Sequence, residues 1–212
     1  MKRFALPLII LGVTVLLLLL IALGGSSSAD YSIGKATEQP LSAEWVKGNQ
    51  ASGVVLIEYS DFQCPACAAY EPLIRQVEAA YGTRAAFVYR HFPLVKIHTN
   101  ADLAARASEA AGKQGKFWEM HDAIFDNHDA WEKQVNAQAF FETYAKQIGL
   151  DVAQFTKDLT ADDVKQAVAD DYARGQLGGV QGTPTFFLNG KQISPGSYDE
   201  FAAALDAAIA GK

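Results

Sequence analysis

The hydrophobic pattern of the chain changes character along its length. Residues Phe4 to Leu23 form one uncharged apolar run behind Lys2 and Arg3. Twenty helical residues rising ~1.5 Å each span about 30 Å, the thickness of a bilayer core. A cleavable signal has a shorter apolar core of roughly 7–15 residues, so the run favours a retained anchor, while Ser27-Ser28-Ala29 offers a small-x-small cleavage site. Residues 1–25 therefore read as a transmembrane anchor or signal segment. The two basic residues before the run keep the start in the cytoplasm and export the rest. The polar stretch "GGSSSAD" opens a linker and lead-in over 26–52, and the folded domain is expected over 53–212.

Within that domain the apolar pattern is first that of a strand. "VVLIEYS", Val54 to Ser60, is short, β-branched and apolar at its start, as a strand buried on both faces should be. From Pro65 to Tyr81 the period becomes helical, with Leu73, Val77 and Tyr81 on one stripe and Gly82 as the stop. Pro72 lies inside this helix and is expected to kink it. "AAFVYRHF", Ala85 to Phe92, is a second strand, which completes a strand–helix–strand crossover. About eighty residues without a strand pattern follow. They read as successive short helices, with a helical insert placed at about 98–160 and a further helix near 161–174. Asp151 with Gln154 resembles a capping box, and Gly149 a helix terminator. "TPTFFLNGKQIS" gives two strands joined by Asn189-Gly190, a strong hairpin signal. The closing helix starts at a Ser197/Glu200 capping box and buries Phe201, Leu205 and Ile209. The fold class is α/β, and Phe117, Trp118, Phe140, Phe141 and Tyr144 read as core of the insert.

Composition narrows the chemistry. A 212-residue chain that is 50% hydrophobic has enough core to fold without disulfide staples. Its net charge is −6, or −8 once Lys2 and Arg3 are set aside, and no basic run points to nucleic acid. The chain has only two cysteines, Cys64 and Cys67. A bridge between them closes too short a loop to restrain the unfolded chain much, so the pair is expected to serve chemistry. Structural zinc takes four ligands and the pair supplies two; His91, His98, His121 and His128 follow no ligand spacing, so no metal is expected. Cys64 sits at the first turn of a helix, where free N–H groups and the helix dipole favour a thiolate, and Pro65 suits the first helical position. Cys64 is then the nucleophile, and Cys67, one turn further in, the resolving thiol.

The buried strand ending in "EYSDFQCPAC", the proline five residues after the second cysteine, the late "GTPTFFLNG" and the closing helix resemble the thioredoxin superfamily. The helical insertion resembles its DsbA-like branch of exported thiol:disulfide oxidoreductases, and the resemblance covers about Gly53 to Gly211. It implies a thioredoxin fold with an inserted helical subdomain, and an oxidase that introduces disulfides into exported cysteine-containing proteins in the bacterial cell envelope. A quinone-linked membrane partner would reoxidise it, and no bound cofactor is needed. By the same resemblance Pro184 follows a cis bond and faces the cysteines, Thr183 offers backbone groups to substrate, and Glu58 lies beneath the resolving cysteine and exchanges protons with it. DsbA-like enzymes often carry histidine where this chain has Ala66, and its absence suggests a less oxidising pair. Two alternatives stay open: a membrane-fed reductase or isomerase, and a binding module that uses the cysteines as ligands.

Overall fold

The computed structural model describes residues 44–211, so the apolar run over 4–23 and most of the expected linker lie outside the described residues. Among the described residues no helix is long and apolar enough to cross a membrane.

The sheet is built around two strands whose residues are all buried, Val55–Ser60 (β2) and Ala86–His91 (β3). Their near-continuous apolar character suits a position with structure on both faces. They pair in parallel from Val55 opposite Ala86 to Ser60 opposite His91, joined by the helix Pro65–Tyr81 (α1). α1 runs on through Pro72. The late strand Thr185–Leu188 (β4) pairs antiparallel with β2, and Lys191–Ile193 (β5) pairs antiparallel with β4. Asn189 and Gly190 between them have φ of 47° and 80°, the left-handed pair that a tight two-residue hairpin needs.

A strand that the sequence pattern leaves in the lead-in, ahead of residue 53, completes the sheet. Trp45–Gly48 (β1) pairs antiparallel with β3, giving the order β1-β3-β2-β4-β5. Its four residues include none that is fully buried, so it shows neither an apolar run nor an alternation. Trp45 stacks on Phe117 at 4.2 Å and donates its Nε1–H to Glu109 at 2.7 Å, which ties this edge to the helical block.

Period two divides the strands between two layers. Leu56, Phe87, Phe186 and Leu188 face α1 and the closing helix Tyr198–Ala210 (α8), against Ile74, Val77, Phe201 and Leu205. Val55, Ile57, Val88 and Phe187 face the other way, where they pack with Phe92, Val180 and Tyr172. The helical block comprises Ala101–Gly112 (α2), Phe117–Asp126 (α3), His128–Trp131 (α4), Gln138–Gln147 (α5), Val152–Asp158 (α6) and Asp162–Leu177 (α7). It extends past the expected limit of about 160 because α7 continues the same block until Gly178 and Gly179 end it. Phe117, Phe141 and Tyr144 are buried in its core, with Trp118 and Phe140 packed against them.

Ser197 and Asp151 each accept the N–H three residues ahead, as N-caps do. Neither box closes reciprocally: Glu200 takes the Gly196 N–H, and the Gln154 side chain turns to Asp158.

Candidate active site

Both cysteines lie where β2 gives way to α1, and the loop between these elements is held from several sides. Asp61 is buried, and its carboxylate accepts from the N–H of Gln63 at 2.8 Å and of Leu94 at 2.9 Å. His98 Nδ1 lies 2.7 Å from the same carboxylate, and the Asp61 carbonyl accepts the Cys64 N–H at 3.0 Å. The Gln63 side chain donates to the Glu132 carbonyl and accepts from the Asn100 N–H, both at 2.6 Å. The redox loop is thereby fixed against the helical block before the first turn of α1 begins.

Cys64 is the N-cap of α1, with extended backbone (φ −71°, ψ 121°), and Pro65 occupies the first helical position. Cys64 is 7% exposed and Cys67 1%. Opposite them the Thr183-Pro184 peptide bond is cis, and the Cys64 sulfur lies 3.4 Å from the Thr183 carbonyl oxygen. The structure thus brings together Cys64, Cys67, Thr183 and Pro184 from opposite ends of the domain.

The two sulfurs are pulled in opposite directions. The Cys64 thiol is lowered to about 5, chiefly by a hydrogen bond from Cys67, against the opposing effect of burial, and with help from the Thr183 hydroxyl and the N–H groups of Cys67 and Ala66. The Cys67 thiol is raised well above the usual range, first by burial, then by its bond to Cys64 and the charge of Glu58. When the pair is reduced, the outer sulfur is therefore the thiolate and the inner one keeps its proton.

Glu58 is buried in the sheet beneath this pair, with its carboxyl pushed up to about 8 by burial and then by the neighbouring Glu71. It lines a small cavity of about 20 Å³ together with Leu56, Glu71, Tyr89, Trp118 and His121. Near neutral pH Glu58 is mostly protonated, which suits a group that gives up or takes a proton. Ser60 lies two residues further along the same face of β2, and Tyr89 stands opposite Glu58 on β3; the sequence pattern assigns neither a role. The signal for Ser60 is present all the same: two polar positions at strand spacing, Glu58 and Ser60, interrupt a buried strand just ahead of the cysteines.

The histidines do not gather around the cysteines. His91 pairs with Glu109 at 3.0 Å, His121 with Asp122 at 2.9 Å, and His128 Nε2 lies 3.2 Å from the Gln63 carbonyl. Among the described residues Glu71, His121 and Asp122 come close enough together to surround a cation. Arg75 is already there, 2.8 Å from Glu71 and 3.7 Å from Asp122.

A sequence-family profile described as thioredoxin matches residues 41–207. Among curated proteins, the chain is 37% identical over 166 residues to a Na(+)/H(+) antiporter, NhaA 3, of Salinispora tropica. That match takes in 78% of this chain and 24% of the antiporter, so the chain spans about a quarter of this relative's length. Among solved structures, the fold superimposes on oxidised BdbD from Bacillus subtilis with a TM-score of 0.73 at 22% identity, covering 82% of this chain and 98% of that one. It superimposes on a thioredoxin-like oxidoreductase from Silicibacter pomeroyi with a TM-score of 0.67 at 28% identity, covering 78% and 91%.

Proposed function

The chain belongs to the thioredoxin family and has its DsbA-like architecture, and from that premise we propose that it is an exported thiol:disulfide oxidoreductase working as an oxidase. The observation that carries this reading is the opposite pull on the two sulfurs, with Cys64 lowered to about 5 and Cys67 raised. A stabilised thiolate favours the reduced pair, and a pair that is stable when reduced draws electrons from other thiols. A substrate thiolate attacks the Cys64 sulfur of the Cys64–Cys67 disulfide, and Cys67 leaves. A second substrate thiolate then attacks the substrate sulfur of the mixed disulfide and releases Cys64 as thiolate.

Thr183 supplies backbone groups at which an extended substrate segment can add as a strand, and Pro184 keeps competing donors away from the sulfurs. Glu58 exchanges a proton with Cys67. The substrates are exported cysteine-containing proteins, and a quinone-linked membrane protein reoxidises the pair. The apolar run over 4–23 anchors the domain at the outer side of the cytoplasmic membrane.

The test is disulfide transfer to a reduced two-cysteine peptide by the oxidised protein, together with equilibration of the pair against glutathione. Stoichiometric peptide oxidation that is lost in Cys64→Ala bears the proposal out. A pair that holds its disulfide against the peptide and instead reduces oxidised substrates points to the reductase or isomerase direction.

A further inference from the structure

Beneath Cys67 the sheet carries two hydroxyls that nothing satisfies. Ser60 is 1% exposed and Tyr89 4%, and neither Ser60 Oγ nor Tyr89 Oη finds a hydrogen-bond partner among the described residues. A buried hydroxyl without a partner costs about 1–3 kcal/mol, so two in one place ask for an explanation. Their positions supply one. Glu58 and Ser60 share a face of β2, and Tyr89 stands opposite Glu58 in the β2–β3 register, on the side where α1 brings Cys67 down onto the sheet. With no partner of its own, the Ser60 hydroxyl is free to turn toward any of these three neighbours, and toward each it would favour the ionised form.

We propose that the Ser60 hydroxyl relays the proton that passes between the Glu58 carboxyl and the Cys67 sulfur, with the Tyr89 hydroxyl holding Ser60 in line. The proposal rests on the reading of Cys64 and Cys67 as an exchanging pair and adds a residue to it. When a substrate thiolate attacks Cys64, the Cys64–Cys67 bond breaks and its electron pair goes to the Cys67 sulfur. Ser60 gives its hydroxyl proton to that sulfur and takes the carboxyl proton of Glu58 in return. The products are the mixed disulfide, a neutral Cys67 thiol, an unchanged Ser60 and a Glu58 carboxylate. In the reverse direction Glu58 takes the proton of Cys67 by the same route, and Cys67 attacks Cys64 to expel the substrate thiolate.

The phenol of Tyr89 keeps its proton because burial and the nearby Glu58 oppose its ionisation, so it has a proton to offer Ser60 Oγ when that hydroxyl turns toward it. Glu58 recovers its proton through the cavity beside it, which is about large enough for one water molecule. The charged and titratable groups facing Glu58 there are Glu71 and Glu78 of α1, Lys47 of β1 and His121 of α3.

Single-turnover oxidation of a two-cysteine peptide, quenched by alkylation and resolved by mass, separates the step that breaks the Cys64–Cys67 bond from the step that releases Cys64. Ser60→Ala is expected to slow the first step by about tenfold or more and to leave the second unchanged, while Ser60→Thr, which keeps the hydroxyl, stays near the wild-type rate. Glu58→Gln slows the same step, and adding Ser60→Ala to it has little further effect, as expected of two residues on one proton path. An unchanged first step in Ser60→Ala, equal slowing in Ser60→Thr, or multiplicative slowing in the double variant overturns the relay. A wild-type protein that forms no mixed disulfide overturns the exchange reading itself, a result distinct from any of these.

Discussion

The sulfur of Cys64 lies 3.4 Å from the carbonyl oxygen of Thr183, a residue 119 positions further along the chain. That contact joins the redox loop to the loop before β4 and brings a second group of the same residue into play. The Thr183 hydroxyl is buried without a partner and is therefore free to turn toward the thiolate, which it stabilises. Thr183→Val, close in shape but without the hydroxyl, should raise the Cys64 thiol above about 5 and make the pair a weaker oxidant. The pH dependence of Cys64 alkylation reads this directly, and an unshifted midpoint sinks the assignment.

Glu58 makes stability depend on pH. Its carboxyl titrates near 8 in the fold against 4.5 when unperturbed. Below about 4.5 both forms are protonated and stability is at its fullest; as pH rises toward 8 only the unfolded chain releases the proton, and stability falls. Near neutral pH the loss is of order 3 kcal/mol. Reduced Glu58→Gln protein should be more stable than wild type at neutral pH and show a flatter profile between these limits. Urea unfolding across the range measures it, and parallel profiles for the two proteins contradict the assignment.

The start of the described chain is locked to the sheet by a buried ion pair. Arg90, with no side-chain exposure, meets Glu44 at 2.8 Å and donates to the Tyr59 hydroxyl at 2.8 Å, while Arg174 of α7 reaches the same Glu44 oxygen at 3.2 Å. Arg90→Met keeps much of the volume but takes from Glu44 the nearer of its two arginines among the described residues. The expected cost is about 3–5 kcal/mol. Restoring neutrality with Glu44→Gln in the same chain should recover part of it, and a loss under about 1 kcal/mol in Arg90→Met means that Glu44 stays satisfied without Arg90.

How much of this was legible beforehand varies with the physical signal. α1 is found from Pro65 to Tyr81 as expected, because a proline at its first position, a stripe of buried residues and Gly82 all mark the same limits. The hairpin was equally clear, since Asn-Gly needs two left-handed residues and few other pairs supply them. β1 was not, because an edge strand of four half-buried residues has too little pattern to register. At the site, the cysteines and Thr183-Pro184 stand out as short motifs. Ser60, Asp61 and Tyr89 do not, because their importance comes from what the fold places beside them: the Asp61 carboxylate gathers Gln63, Leu94 and His98 from two loops.

Gly112 shows the same limit from the other side. It closes α2 and gives no sequence sign of being needed, yet a Cβ there would run into the indole ring of Trp45. Alanine would gain up to about 1 kcal/mol of helix propensity, whereas overpacking costs about 1–3 kcal/mol. Because Trp45 is held by both its stack on Phe117 and its bond to Glu109, the clash should win. Gly112→Ala is expected to lose roughly 1–2 kcal/mol and to shift the tryptophan fluorescence; a stabilised variant means that β1 can move aside at little cost.

Between the cysteines the chain has Pro65-Ala66, and the structure shows what lowers Cys64 without a histidine there: the Cys67 thiol, the Thr183 hydroxyl and the N–H groups of Ala66 and Cys67. None of these carries a full positive charge. Ala66 is exposed at the first turn of α1, so an imidazole at that position has room to stand beside the sulfur and, when protonated, to add one. Ala66→His should therefore move the Cys64 thiol below about 5 and shift the equilibrium with glutathione toward the reduced enzyme. Each pKa unit of added thiolate stabilisation corresponds to about tenfold in that equilibrium, or roughly 30 mV. An equilibrium constant that does not move while the thiol does would mean that position 66 acts equally on the oxidised form. The backbone and Thr183 would then set the potential of this pair, with the residue between the cysteines making no net difference.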